Sequence, residues 1–534
     1  MTAPTLPRGP QRSSEELGLG WLSLAGDRAV SVLMIGLILA GGLGLGVATA
    51  VKPIVGVGVA ALIGGALLVM RRLEIGGLVL VTVVPIFSGL RSGLPVPSLK
   101  LSEALIAGIG GLVLVTLRKL HARPWTRVEW TLGIFVALYF LLGLLDASEL
   151  HAKLTFAETG TLLGPLQYFL LYRTIRLVLP TRRLQLGALR CLLYASVPIS
   201  LIGVAQQLGV SAVRSFIVNI TASTAVNSGS ASGYSSFARA SSLWPQWTLF
   251  AGYLTVVITL GLAIVLDSDA DVIRRSRLYP ILILDGIALF LTAELSAIAS
   301  LVIAMVLLAW WSKRLGLLLK VVGVVLLVLG SAAGPYIAAR VKQEYSKTVG
   351  AGAPLVPQTI QYRWQIWTSQ YFPAIGERPI LGWGVIQPPV VSWPSTESQY
   401  VTVLMRGGTP LLVAFVLMMG GVGSAAGALR RDPDDEVRRV SGRAVLALVI
   451  ILIPMDTVFP YFEDSGLPEA LWALVGIMMA AVPRRLPPLG FAALPSVLPD
   501  VEVPATVPAD EPRLAPAPAP RPRRRRRRRR GPDR

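Results

Sequence analysis

The chain has 534 residues, 53% of them hydrophobic and only 15% charged, with a formal net charge of +20. A soluble domain carries about 25% charged residues, so a water-soluble globular class is excluded. One cysteine, Cys191, and two histidines, His121 and His151, exclude an internal disulfide, a thiolate metal cluster and a histidine-rich metal site.

The apolar residues fall in blocks of roughly 16–23, long enough to cross ~30 Å of hydrocarbon as helix. A membrane β-barrel would need shorter, alternating segments. The fold class is therefore an all-α polytopic membrane protein with about 12–14 transmembrane helices. Residues 1–28 form a cytoplasmic N-terminal tail carrying Arg8, Arg12 and Arg28. The apolar run that follows, ahead of Ala48-Thr49-Ala50, imitates a signal peptide. It exceeds the ~7–15 residues of a cleavable apolar region, so it reads as an uncleaved first membrane helix.

A transmembrane domain covers 29–482, with spans expected at 29–48, 54–70, 75–90, 103–117, 129–147, 160–177, 186–207, 246–266, 279–293, 295–311, 316–334, 409–429, 443–459 and 466–482. With the N-terminus inside, the inner loops hold twenty Lys/Arg, from Arg71 to Arg443, and the short outer loops only Lys52, Arg91, Lys100 and Lys153. The positive-inside rule then places both termini in the cytoplasm. It places two long loops, 208–245 and 335–408, outside. The larger one lies between the third- and fourth-last helices, and a polar insertion of that size is where the chemistry is expected.

The first outer loop ends in Phe237-Ala238-Arg239-Ala240-Ser241-Ser242-Leu243-Trp244-Pro245. Trp244 and Trp247 suit the membrane interface. The second holds a Gly/Pro stretch at 349–357. Over 358–375 it places Tyr362, Ile366 and Tyr371 at helical spacing, which reads as an amphipathic helix near the interface. From 483 to 534 the chain is Pro-, Ala- and Arg-rich, cannot build a core, and is expected to be a disordered cytoplasmic tail. Eleven Lys/Arg against five acids follow position 485, with Arg523 to Arg530 unbroken. That run is a candidate for contact with anionic lipid, against the plainer reading of a solvated anchor. The positive charge is a membrane-topology signal, and no nucleic-acid partner is expected.

Arg239 and Arg363 are outer-loop arginines beside aromatics. A guanidinium presents a rigid donor fork to phosphate and stays charged near lipid. The plainer reading is snorkelling to lipid headgroups. Arg340, Lys342, Arg378 and Arg406 are further outer cations. Glu397 stands just before a helix expected to resume at about 400, as a base within reach of an attacking hydroxyl or as a helix-start carboxylate. Gly382, Gly384, Gly407 and Gly408 permit tight turns and close backbone approach. Asp285 lies inside a span and needs a buried partner, while Glu294 sits at that span's outer end. Asp267-Ser268-Asp269-Ala270-Asp271 imitates a metal-binding acidic motif, but it lies in an inner loop beside Arg274 and Arg275. No acidic cluster occupies the outer loops, so no metal and no cofactor are expected.

The 335–408 loop resembles the O-antigen ligase and O-antigen polymerase superfamily of membrane glycosyltransferases. The resemblance is carried by Arg363, Trp367, Pro379-Ile380-Leu381-Gly382-Trp383-Gly384, Glu397-Ser398-Gln399-Tyr400 and Gly408. Arg239, with Pro245 after it, is similar to the family's earlier arginine ahead of a membrane helix. The chain departs from the family where ligases usually have His at the position of Glu397 and many members have Asn at that of Ser398. Thr292-Ala293-Glu294-Leu295-Ser296 also lacks an arginine that many members carry.

The resemblance implies an inverting, metal-independent transfer from a polyprenyl-diphosphate-linked glycan to an acceptor hydroxyl of another glycan, a lipid or a protein. Glu397 and Arg363 would be the catalytic pair. Arg239, Arg363, Arg340, Trp367 and Tyr400 would line the substrate site, and Gly382, Gly384 and Gly408 would shape the loop. The rival class is a transporter or flippase of lipid-linked sugar or exported polysaccharide. That class calls for charges in broken helices and an internal repeat; the sequence shows no repeat.

Overall fold

A computed structural model describes residues 72–90, 101–116, 125–221, 239–267, 270–316, 358–392 and 395–482. Among them every regular element is helical. In chain order these are α1 (Leu73–Phe87), α2 (Leu101–Thr116), α3 (Arg127–Glu149), α4 (Phe156–Val178), α5 (Arg182–Gln207), α6 (Ser211–Thr221), α7 (Trp247–Leu266), α8 (Arg275–Leu291), α9 (Leu295–Trp311) and α10 (Gln358–Ile366). A π turn, Trp367–Tyr371, leads into α11 (Phe372–Glu377), and α12 (Gln399–Leu429), α13 (Glu436–Val458) and α14 (Leu467–Ala480) complete the chain. Every span expected on described residues coincides with one of these helices. The expected spans 29–48, 54–70 and 316–334 lie outside them, as do Arg340, Lys342 and the arginine-rich tail.

Helix starts follow local chemistry. Thr126 and Glu129 open α3 with a reciprocal capping box, and Thr155 with Glu158 does the same for α4. Asp435 opens α13 by accepting from the amides of Val437 and Arg438.

α7 and α14 are apolar on all sides and buried almost throughout, as such helices must be. α7 packs on α5, α8, α9, α13 and α14, and α14 packs on α1, α4, α5, α7 and α13. With 14 residues, α14 rises only about 21 Å. Enclosed by other helices, it never has to match the bilayer on its own. α3, α5, α7, α12 and α13 are each long and apolar enough to cross a membrane. Large apolar side chains on the outside of the bundle, such as Leu141, Ile283, Val302, Val413 and Leu417, are exposed. Water would not tolerate so much apolar surface, and lipid does. This is a multi-pass membrane protein.

The two ends of the bundle differ. At one end, Glu129 binds Arg173 and Arg176, Asp267 binds Arg439 at 2.6 Å and Arg443 at 3.3 Å, and Glu436 binds Arg182 at 3.2 Å. Asp267 is thus taken up by arginine. At the other end lie the α8–α9 hairpin, the α13–α14 connection and the described parts of both long loops.

Candidate active site at the broken helix

Helix α12 is interrupted at Gly407 and Gly408. Gly408 has φ +60° and ψ −160°, a conformation essentially confined to glycine. The interruption opens the helix ladder, and the segment 379–384 fills it. Thr409 N donates to Pro379 O at 2.8 Å, and Trp383 N donates to Met405 O at 2.6 Å. A Cβ on Gly408 would stand 2.3 Å from Ile380 O, and one on Gly382 would stand 2.7 Å from Met405 O. Gly382 itself has φ +83°. Gly384, at φ +62°, lies against Asp146 and Gly143 of α3. The three loop glycines therefore lock one loop into one broken helix.

The segment expected as a single amphipathic helix is α10, the π turn and α11. Its buried residues are Ile366, Tyr371 and Ala374, and the wider π turn lets Ile366 and Tyr371, five apart, both face inward. Their side packs on Trp383, Val391, Val401 and Met405. The buried face is thus spent on protein, and Tyr362, with Ile360 and Trp364, stays on the exposed side.

At this corner Arg363 Nη2 meets Glu397 Oε2 at 3.4 Å, both side chains about one-fifth exposed. Glu397 has φ +54°, a left-handed conformation strained for a side-chain-bearing residue. Trp367 Nε1 donates to Thr396 O at 2.7 Å and fixes the same turn. Tyr371 lies alongside: burial pushes its phenol up to about 12, with the Glu397 charge contributing next. Tyr400 donates to Ile453 O at 3.0 Å and tethers the start of α12 to α13.

Two other arginines of the 335–408 segment are tied into the frame. Arg378 pairs with Asp146 at 3.2 Å and with Glu149, clamping the loop to α3. Arg406 donates to Gly384 O at 3.1 Å and pairs with Glu463 at 3.3 Å.

Arg239 lies at a neighbouring corner, its guanidinium 4.5 Å from the centre of the Trp247 ring. Gln206 Oε1, at the end of α5, accepts from the amides of Ser241 and Ser242 at 3.0 and 2.8 Å. Ala240 N donates to Leu291 O at 3.1 Å, which joins the Arg239 segment to the α8–α9 hairpin. Burial raises the Tyr461 phenol well above its ordinary value, Glu294 and Asp456 add to the rise, and Arg363 opposes it. Arg363, Glu397, Trp367 and the loop glycines thus form one cluster. Arg239 is tied instead to the α8–α9 hairpin, through its neighbour Ala240.

Sequence reasoning passed over Asp456, a lone carboxylate near the end of α13. It is 1% exposed, and its Oδ1 is buried with no hydrogen-bond partner. A carboxylate inside an apolar span is a functional suspect by default, and that signal was available. Asp285, by contrast, has the partners the sequence left unnamed. Ser196 and Ser200 of α5 donate to its carboxylate at 2.7 and 2.6 Å, an interhelical clasp.

Residues 280–416 match the family model described as O-antigen ligase. The chain carries an O-antigen ligase family domain. The matched segment runs from α8 into α12, so it includes Glu294, Arg363, Glu397 and the helix break, and it excludes Arg239 and Asp456. The family implies glycosyltransferase activity in surface polysaccharide assembly. No curated protein is matched by the chain.

Proposed function

We propose that this O-antigen ligase family protein transfers a glycan from a polyprenyl-diphosphate donor to an acceptor hydroxyl at the outer face of the cell membrane, with inversion and without a metal. The observation that carries the reading is the Arg363–Glu397 pair at 3.4 Å, beside the break in α12 and inside the family-matched segment.

The acceptor oxygen attacks the anomeric carbon. The bond from that carbon to the diphosphate breaks, and its electron pair stays on the phosphate oxygen. Arg363 and Arg239 bind the charge that develops there. The acceptor's proton passes to Glu397. With no donor bound, Glu397 is occupied by Arg363. A diphosphate competes for the same guanidinium, so donor binding frees the carboxylate to act as base. Arg340 remains a further phosphate contact on sequence grounds. Trp367 and Tyr400 hold the loop and the helix start beside substrate. The outer location is supported by the basic residues gathered at the opposite end of the bundle, and with the site outside, cytoplasmic termini are part of the same proposal.

Arg363→Ala is expected to abolish glycan assembly at unchanged protein level, read by gel analysis of surface polysaccharide beside an immunoblot. Normal polymer in that variant would refute the assignment. The broken α12 also suits a transporter. Purified protein given lipid-linked donor and no energy source separates the two. Free polyprenyl diphosphate means transfer, whereas intact donor moved across a vesicle bilayer means transport.

A further inference from the structure

Downstream of Arg239, residues Ala240, Ser241, Ser242 and Trp244 are buried, and none of them lies in a helix. A buried segment without a ladder of its own has to find partners for its backbone elsewhere. Ala240 N uses Leu291 O at the end of α8. The next two amides both go to one side chain. Gln206 Oε1 accepts from Ser241 N at 3.0 Å and Ser242 N at 2.8 Å, while Gln206 Nε2 donates to Ser241 Oγ at 3.2 Å. A side-chain amide is suited to this, because its oxygen carries two lone pairs and its nitrogen donates. Gln206 is 4% exposed, so these bonds are made away from water. Its own backbone is held too: Arg214 Nε of α6 donates to Gln206 O at 3.0 Å.

The turn is also strained. Ser242 has φ +50°, a left-handed conformation uncommon for a residue with a side chain. Its Oγ donates to Ile199 O at 2.7 Å, so α5 grips the turn a second time, about two helical turns before Gln206. Strain of this kind persists only where the surroundings enforce it, and it collects at functional sites. What this turn carries is Arg239. The guanidinium stacks on Trp247, which opens α7, and stacking engages the plane of the fork instead of its N–H donors. Gln206 therefore fixes the backbone beside Arg239, and Trp247 fixes the side chain. A cation held this way loses less freedom when it binds an anion.

We propose that Gln206 is a positioning residue of the donor site: it holds the turn 240–242 so that Arg239, seated on Trp247, meets the diphosphate. This rests on the glycosyl-transfer reading above. Gln206 itself touches no phosphate, because its amide oxygen and nitrogen are both engaged within the turn.

The test measures binding of a short-chain polyprenyl diphosphate to purified full-length protein. Arg239→Ala is expected to weaken the probe on the order of tenfold. Gln206→Met, unbranched and without the amide, is expected to weaken it about fivefold. The deciding measurement is the double variant. In the Arg239→Ala background Gln206→Met should cost no more than about twofold, whereas with Arg363→Ala the two losses should multiply. The same loss from Gln206→Met in all three backgrounds overturns the proposal, since a general weakening of the fold acts whether or not Arg239 is present. Wild-type binding by Gln206→Met also overturns it. If Gln206→Met shows no cooperative melting transition, Gln206→Glu takes its place. That variant keeps the acceptor oxygen and removes the Nε2 donor, and its smaller loss should likewise vanish without Arg239. Arg239→Ala that binds the probe as wild type does would end the role of Arg239 and of Gln206 with it. Wild-type protein that binds no probe would overturn the diphosphate-donor reading itself, which separates that failure from failure of the positioning.

Discussion

At the scale of single residues, the shape of the cation matters as much as its charge. In the proposed reaction Arg363 must serve Glu397 before the donor arrives and phosphate oxygens afterwards. A lysine keeps the charge but offers no planar fork. Arg363→Lys is therefore expected to lose at least about tenfold in transfer, measured as polyprenyl diphosphate released per unit of purified protein. A second expectation concerns Tyr371, whose phenol is raised from the ordinary 10.0 to about 12 by burial first and the Glu397 charge second. The folded state holds that proton more tightly than the unfolded chain. The resulting stability is complete below pH 10 and is lost as pH rises through about 12. The melting temperature of wild type should fall more steeply across that window than that of Tyr371→Phe. Equal slopes would mean the phenol is not held in this way.

Whole elements depend on a few backbone positions. The break in α12 needs a residue at φ +60° and ψ −160° with Ile380 O where a Cβ would be. Gly408→Ala should therefore cost about 1–3 kcal/mol in strain, and more if segment 379–384 is displaced. A Cβ added to Gly420, in the same helix, meets nothing within 4 Å. Gly420→Ala should be neutral or stabilising by roughly 0.5–1 kcal/mol. Thermal melts of the two variants in one detergent test the contrast, and equal melting temperatures would count against the locked break. The glycines were legible in the sequence as turn-formers; their partner was not. Nothing in Pro379 to Gly384 announces that it completes a helix some twenty residues further on, because that pairing is made by hydrogen bonds between segments.

For the whole molecule, the decisive property is which end faces out. Cys191 is the one native cysteine, so a Cys191→Ser background permits clean labelling. Val390→Cys at the site end should react with a membrane-impermeant maleimide in intact cells, and Arg431→Cys at the basic end only after permeabilisation. The reverse pattern would place the site in the cytoplasm and end the lipid-linked donor reading. Arg378 links the site-end loop to the bundle through Asp146 and Glu149.

The helices and their approximate limits were readable along the chain, because burial in lipid demands long apolar runs whatever they pack against. So were Arg363 and Glu397, as residue types suited to phosphate and proton chemistry. Their pairing across the turn before α12, the π turn that buries Ile366 with Tyr371, and the approach of Asp456 to the same corner were decided only by tertiary structure. Each depends on contacts between segments that local pattern does not link, and the chain carries no record of which distant segment will supply the partner. Asp456 shows the difference most plainly: along the sequence it is a lone acid in an apolar run, and in the fold its Oδ1 is buried without a hydrogen-bond partner while its backbone oxygen accepts from Ser398, the neighbour of Glu397.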